Sequence, residues 1–227
     1  MRMLGDASIQ SYRWDLIYLQ AGLLSDEKPE IQALAPGVGI IVDEIRAERE
    51  LYERAEEAEI VASAVRGQRD FKLDRMIITF GGIARVIAGS IYKRFFGRLS
   101  PSRVAKLALD DEVLECKRIL GEFEATPADE PLRVAHEASI REGLAQLELA
   151  MTAEDNADVA LTVARSRLRT FKERVDAQRL ALYAEILRLV GDKDDADSFF
   201  RPTTAAPEGG DKPPPAPVNP PVTPVAA

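Results

Sequence analysis

Two stretches of this chain, each about sixty residues long and interrupted by no internal proline, repeat apolar residues at alternating three- and four-residue steps, and that pattern leaves little choice of fold. Between Val38 and Leu99 the first reads Leu51, Ala55, Ala58, Ala62 and Val65, then, after a slip near Arg69, Leu73, Met76, Phe80, Ile83 and Ile87. Side chains three and four apart share one helix face, so a repeat of this length makes a heptad seam. The slip is a pair of four-residue steps, a stutter that locally unwinds a supercoil, and Gly67 is the candidate break. The second stretch, from Pro131 to Gly191, carries Ile140, Leu144, Leu147 and Met151, then Ala157, Leu161, Ala164, Leu168, Phe171 and Val175, and reaches Leu182 across the polar Gln178. Thr152-Ala-Glu-Asp155 has the form of a capping box and marks a candidate break between its two seams.

Helices this long cannot bury their seams alone; they must fold back on one another or associate between chains. The expected fold class is therefore all-α: an elongated antiparallel helical bundle or coiled-coil hairpin with a disordered proline-rich C-terminal tail. The runs Gly39 to Val42 and Met76 to Phe80 have some strand character, but neither has a hairpin partner joined by a turn. The expected partner surface, for a second copy or another protein, is the seam Leu161, Leu168, Phe171, Val175 and Leu182. Arg46/Glu50, Arg49/Glu53, Glu50/Arg54, Arg169/Glu173 and Lys172/Asp176 stand four apart and read as solvated helix-face pairs worth about 0.3 kcal/mol each.

Punctuation divides the chain into an N-terminal arm, 1–35, with a short amphipathic helix at 7–24; a bundle, 36–192, with helices at about 38–99, 102–124 and 131–191; and a tail, 193–227, acidic and then proline-rich. Ser100 and Pro101 suit an N-cap and first helical position. Nine of the fourteen prolines fall between Pro202 and Pro224, a composition that favours extended polyproline conformations and cannot build a core. Pro214-x-x-Pro217 and its neighbours have minimal ligand spacing, but any proline-rich tail would match it, so a spacer or solubilising tail is expected ahead of a ligand. Phe199 and Phe200, ahead of the prolines, are candidates for docking on the body or on another subunit.

Several functions are excluded or disfavoured by what is present. Hydrophobic residues are 46% and charged residues 30%, which describes a globular chain; a net charge of -8 argues against nucleic acid as a partner. The single histidine, His136, cannot supply the paired Glu-x-x-His motifs of a di-metal bundle, and Arg133 stands where its glutamate is needed. No structural zinc set, glycine-framed nucleophile or phosphate loop is present. The Glu53, Glu56, Glu57 and Glu59 group reads as a solvated helix face. No catalytic residue, cofactor, metal or small-molecule substrate is therefore expected. Cys116, the one cysteine, sits in a stripe with Leu109, Val113, Leu120 and Phe123 and reads as core; its solitude and the absence of a signal-peptide pattern point to the cytoplasm.

The segment from Met76 to Lys106 stands apart. Its first seventeen residues carry one charge, Arg85, with apolar residues all round the helix and small residues, Gly81, Gly82, Ala84, Ala88, Gly89 and Ser90, suited to close backbone approach. Then Tyr92, Lys93, Arg94, Phe95, Phe96 and Arg98 mix aromatics with cations, and no acid intervenes between Arg75 and Lys106. Phe80, Ile83, Ile87, Ile91, Tyr92, Lys93, Arg94, Phe95, Phe96 and Arg98 are the candidate contacts with an anionic membrane or a partner groove. The alternative is a central buried helix whose Arg85 reaches a carboxylate. A full membrane span is short of apolar residues, and a central arginine costs about 2.5 to 3.5 kcal/mol on insertion scales.

The order of long helix, glycine-containing apolar segment and long helix resembles the arrangement of α-helical pore-forming toxins; the likeness is one of arrangement, with no shared motif, and carries no residue or activity across. Two functional expectations follow: a non-enzymatic helical scaffold or assembly protein that associates through its seams, or a membrane-associated helical protein acting through 76–106.

Overall fold

The computed structural model describes residues 4–5, 7–87, 89–127 and 130–202. Among them every regular element is helical: α1 (Ile9–Ser25), α2 (Pro29–Gln32), α3 (Ala35–Ile87), α4 (Gly89–Phe96), α5 (Pro101–Val104), α6 (Leu109–Glu124), α7 (Pro131–Val190) and α8 (Lys193–Ser198). α3 and α7 run continuously through Gly67 and through Thr152–Asp155, and at 1.5 Å per residue they span about 80 and 90 Å. A favourable seam outweighs the roughly 1 kcal/mol that an interior glycine costs. Pro131 opens α7 where no backbone donor is needed, and Gly191 closes it at φ +81°, its N–H reaching the Leu187 carbonyl at 2.9 Å.

α3 and α7 pack antiparallel along their length, as the seams predict. Their register is marked by ion pairs between them: Glu44 with Arg174 (2.7 Å), Glu48 with Arg167 (2.6 Å) and Arg66 with Glu154 (2.7 Å), in descending order on one helix and ascending on the other. Two separate apolar cores sit at opposite ends of this hairpin. At the near end α1 lays Tyr12, Leu16, Leu19 and Leu23 against the start of α3 and the end of α7. At the far end α4, α5 and α6 close over Leu73, Ile77 and Phe80 of α3 and Ile140, Leu144 and Leu147 of α7. Between the cores only the two long helices remain, and Leu161 is the large apolar side chain buried there.

Several boundaries differ from the sequence reading. The helix expected at 38–99 ends at Ile87, and α4 folds back beside it. In a straight helix Phe96 would lie about 24 Å beyond Phe80, whereas the two rings stand 5.5 Å apart; burying the aromatics drives the turn. The helix expected at 102–124 is two pieces, because Ala108 is extended and begins α6 afresh. The expected arm is a packed helix of the near-end core. The acidic start of the expected tail forms α8, whose Asp192 cap accepts from the N–H of Asp194 (2.8 Å) and Asp195 (3.0 Å). The proline-rich tail itself, with its spaced prolines, lies outside the described residues.

Candidate functional site

The residues singled out between Phe80 and Arg98 divide sharply. Phe80, Phe95 and Phe96 are buried and form an aromatic cluster with Phe123, at centroid distances of 5.0 Å (Phe80–Phe95), 4.9 Å (Phe80–Phe123) and 4.7 Å (Phe95–Phe123). Ile91 and Tyr92 are half-buried, with Tyr92 5.6 Å from Phe96. Phe80, Phe95 and Phe96 are thus spent on the core, while Ile91 and Tyr92 pack partly against it and keep one side open. Arg94 is exposed and tied to Glu122 at 2.9 Å. What remains outward is Ile83, Val86 and Ile87 on the last turns of α3, with Val86 87% exposed, and the cations Arg85, Lys93, Arg98, Arg103 and Lys106. The expectation that a buried Arg85 reaches a carboxylate is therefore wrong: its side chain points to solvent. Among the described residues no helix is long and apolar enough to cross a membrane. Gly81 does permit the close approach its size suggested, since a Cβ there would lie 2.1 Å from Cγ of Pro101; at Gly82 nothing lies within 4 Å.

The α7 seam, expected as a surface for a second copy or another protein, is instead largely covered within the chain, where it packs on α3 and the near-end core. Leu161, Phe171 and Val175 are buried, and Leu168 and Leu182 are half-buried. The α3 seam is different: Ala55 and Ala62 turn toward α7, but Leu51 and Val65 are 42% and 44% exposed and Ala58 is open as well. These three stand seven residues apart on one line of the helix. Val163 of α7, also exposed, lines a shallow hollow with Glu48 and Arg167, one turn before Leu51, so it belongs to the same flank of the hairpin; Leu149 precedes it by two heptads and is 65% exposed. Phe199 and Phe200 dock on the chain's own body: Phe199 lies against Gly22, and Phe200 meets Tyr183 at 5.6 Å with the Arg179 guanidinium over its ring.

Two polar sites escaped the sequence reading. At the near end Asp176, taken as a solvated partner of Lys172, is buried. It accepts hydrogen bonds from Tyr12 Oη (2.8 Å), the N–H groups of Leu4 (3.2 Å) and Gly5 (3.0 Å), and Arg179 Nη1 (3.0 Å). Arg179, 1% exposed, also donates through Nε and Nη2 to Asp15 at 2.9 and 2.6 Å. Burial pushes Asp15 above the usual carboxylate range against the pull of Arg179, while at Asp176 the hydrogen bonds outweigh burial and hold it below.

At the far end Asp70 and Asp74, one turn apart on α3, converge with Glu112 from the first turn of α6. A carboxylate oxygen of each lies within 4.8 Å of the others. Glu112 is 2% exposed, and both its Oε1 and Asp74 Oδ1 are buried without a hydrogen-bond partner. Burial raises the Glu112 carboxyl well above its ordinary range, and the charges of Asp74 and Asp70 raise it further. Cys116, one turn along α6, is buried in the core, and its thiol is pushed up to about 12 by burial and then by these acids. His136, against Phe80 at 5.4 Å, is lowered by burial.

No protein-family model matches the chain, and neither the curated proteins nor the solved structures yield a significant match.

Proposed function

We propose that this chain is a non-enzymatic helical assembly protein whose rod pairs with a second copy through the outward half of its α3 seam. The observation that carries this reading is the line Leu51, Ala58 and Val65, flanked by Val163, left open where the hairpin is only two helices thick. A two-fold pairing sets the same row against itself, which makes a self-complementary interface. Apolar side chains repeated at heptad spacing on both long helices are what a four-helix dimer needs. The single buried cysteine fits a cytoplasmic setting.

Sedimentation velocity across the micromolar range, beside a Leu51→Glu, Val65→Glu variant, tests this directly. The wild-type chain should dimerise, and the variant should stay monomeric with its helical circular dichroism unchanged, because both positions are solvent-facing. A wild-type chain that remains monomeric at every concentration refutes the reading.

A second reading rests on a different observation, the outward Val86 and Ile87 amid Arg85, Lys93, Arg98, Arg103 and Lys106. Apolar side chains ringed by cations suit an anionic lipid surface, on which the far end of the rod would rest without insertion. Flotation with phosphatidylserine vesicles should then recover the wild-type chain at low salt and lose it in Val86→Asp, Ile87→Asp. Absence of flotation for the wild-type chain removes this reading and leaves the first untouched.

A further inference from the structure

We infer that Asp70, Asp74 and Glu112 form a binding site for a hard divalent cation of the Mg²⁺ or Mn²⁺ type, which ties α6 to α3 at the far end of the rod. Oxygens bound at 2.0–2.1 Å around such an ion stand about 3 Å apart when adjacent and about 4 Å when opposite. Three carboxylate oxygens already within 4.8 Å of one another reach that geometry by small side-chain rotations. The independent pointer is Glu112 itself, almost wholly buried, with Oε1 lacking any donor, beside a second buried orphan, Asp74 Oδ1. Buried polar atoms are nearly always satisfied, and two acceptor oxygens among three acids, neither with a hydrogen-bond partner among the described residues, call for a positive one.

The donor set selects the ion class. It is oxygen only: Cys116 is not among the converging atoms, and the single histidine packs on Phe80, so zinc and copper lack their preferred ligands. Calcium asks for six to eight oxygens, commonly with backbone carbonyls. Helical carbonyls at Asp70 and Asp74 are committed to the α3 ladder. A small ion that keeps several waters fits better, and the half-exposed Asp70 and Asp74 leave a side open for those waters and for entry. The site joins elements that otherwise meet mainly through others, since α6 packs chiefly on α7 and α4.

The test uses the full-length chain stripped with chelator and then titrated with Mn²⁺, followed by electron paramagnetic resonance and by thermal melting, with Mg²⁺ as competitor. One Mn²⁺ should bind per chain and be displaced by Mg²⁺. At concentrations about a hundredfold above Kd, the melting temperature should rise by about 5–10 °C over the chelated protein. Glu112→Gln keeps the side chain's shape and removes one charge; it should melt no lower than wild type in chelator and show no Mn²⁺-dependent rise. Asp70→Asn, at a half-exposed position that folding tolerates, should weaken Mn²⁺ at least about tenfold. Failure of the wild-type chain to bind Mn²⁺ or to gain stability overturns the inference, which would leave the acids sharing protons only. So does a full Mn²⁺ response in either variant.

Discussion

Replacing Arg179 by Met removes one cation from a site that keeps two acids. The guanidinium is 1% exposed and reaches Asp15 at 2.6 and 2.9 Å and Asp176 at 3.0 Å. Methionine fills most of the stem's volume, so the loss is chiefly electrostatic. Breaking a buried pair in this way costs about 3–5 kcal/mol, because the orphaned carboxylate must stay buried without its partner. For a chain of this size that corresponds to a fall in Tm of about 6–20 °C. Urea unfolding followed by circular dichroism at pH 7.5 should show the midpoint shifted with an unaltered slope. The sign with pH is fixed too. In the variant Asp15 has lost the charge that opposed burial, so its folded pKa rises further above its unfolded value. The folded state then binds more protons than the unfolded state, and part of the lost stability returns as pH falls toward 5. Asp15→Asn in the same background should restore part of it at pH 7.5. A loss below about 1 kcal/mol, or one of equal size at pH 5 and 7.5, refutes the electrostatic account and leaves only packing.

Gly81→Ala should destabilise by about 1–3 kcal/mol in urea unfolding, because its Cβ would collide with the rigid Pro101 ring, whereas Gly82→Ala, with open space around it, should leave stability equal or slightly higher; equal effects at both positions would contradict the close approach of α5 to α3. The His136 C–H resonances should titrate below the ordinary 6.5, since burial beside Phe80 disfavours the imidazolium. The unfolded chain then takes up this proton first, so stability falls as pH drops through 6.5, and His136→Gln should flatten that slope.

The periodicity of apolar residues made the two rods and their antiparallel pairing legible, because a helix face is a matter of counting. Proline and glycine fixed the ends of α7 for the same reason. The turn after Ile87 was half-hidden: Gly89 and Ser90 weaken a helix there but no proline stops it, and what bends the chain is the tertiary attraction of Phe95 and Phe96 for Phe80 and Phe123. The polar sites were half-visible. Asp15 lies on the stripe of Tyr12, Leu16, Leu19 and Leu23, and Glu112 lies one turn before Cys116, so each is an acid on a face that is otherwise apolar. That oddity was the available signal. Their partners, Arg179 in one case and Asp70 and Asp74 in the other, come from other helices, and only the three-dimensional register brings them within reach.

The distribution of core along the rod bears on assembly. Ala55 and Ala62 on α3, with Ala157 and Ala164 on α7, let the two backbones approach closely, but each alanine removes little apolar surface from water. The middle of the hairpin therefore depends on Leu161 and on interhelical pairs such as Arg66–Glu154, which at 30% and 24% side-chain exposure is worth about 1 kcal/mol or less. A hairpin that invested its large side chains at both ends and small ones between is weakest where its open row of Leu51, Val65 and Val163 lies. Covering that row adds apolar burial at the place that has least of it. The same face that leaves the isolated chain prone to local opening would thus give a second copy its largest gain in stability, so the proposed pairing falls on the thin middle and not on either finished core.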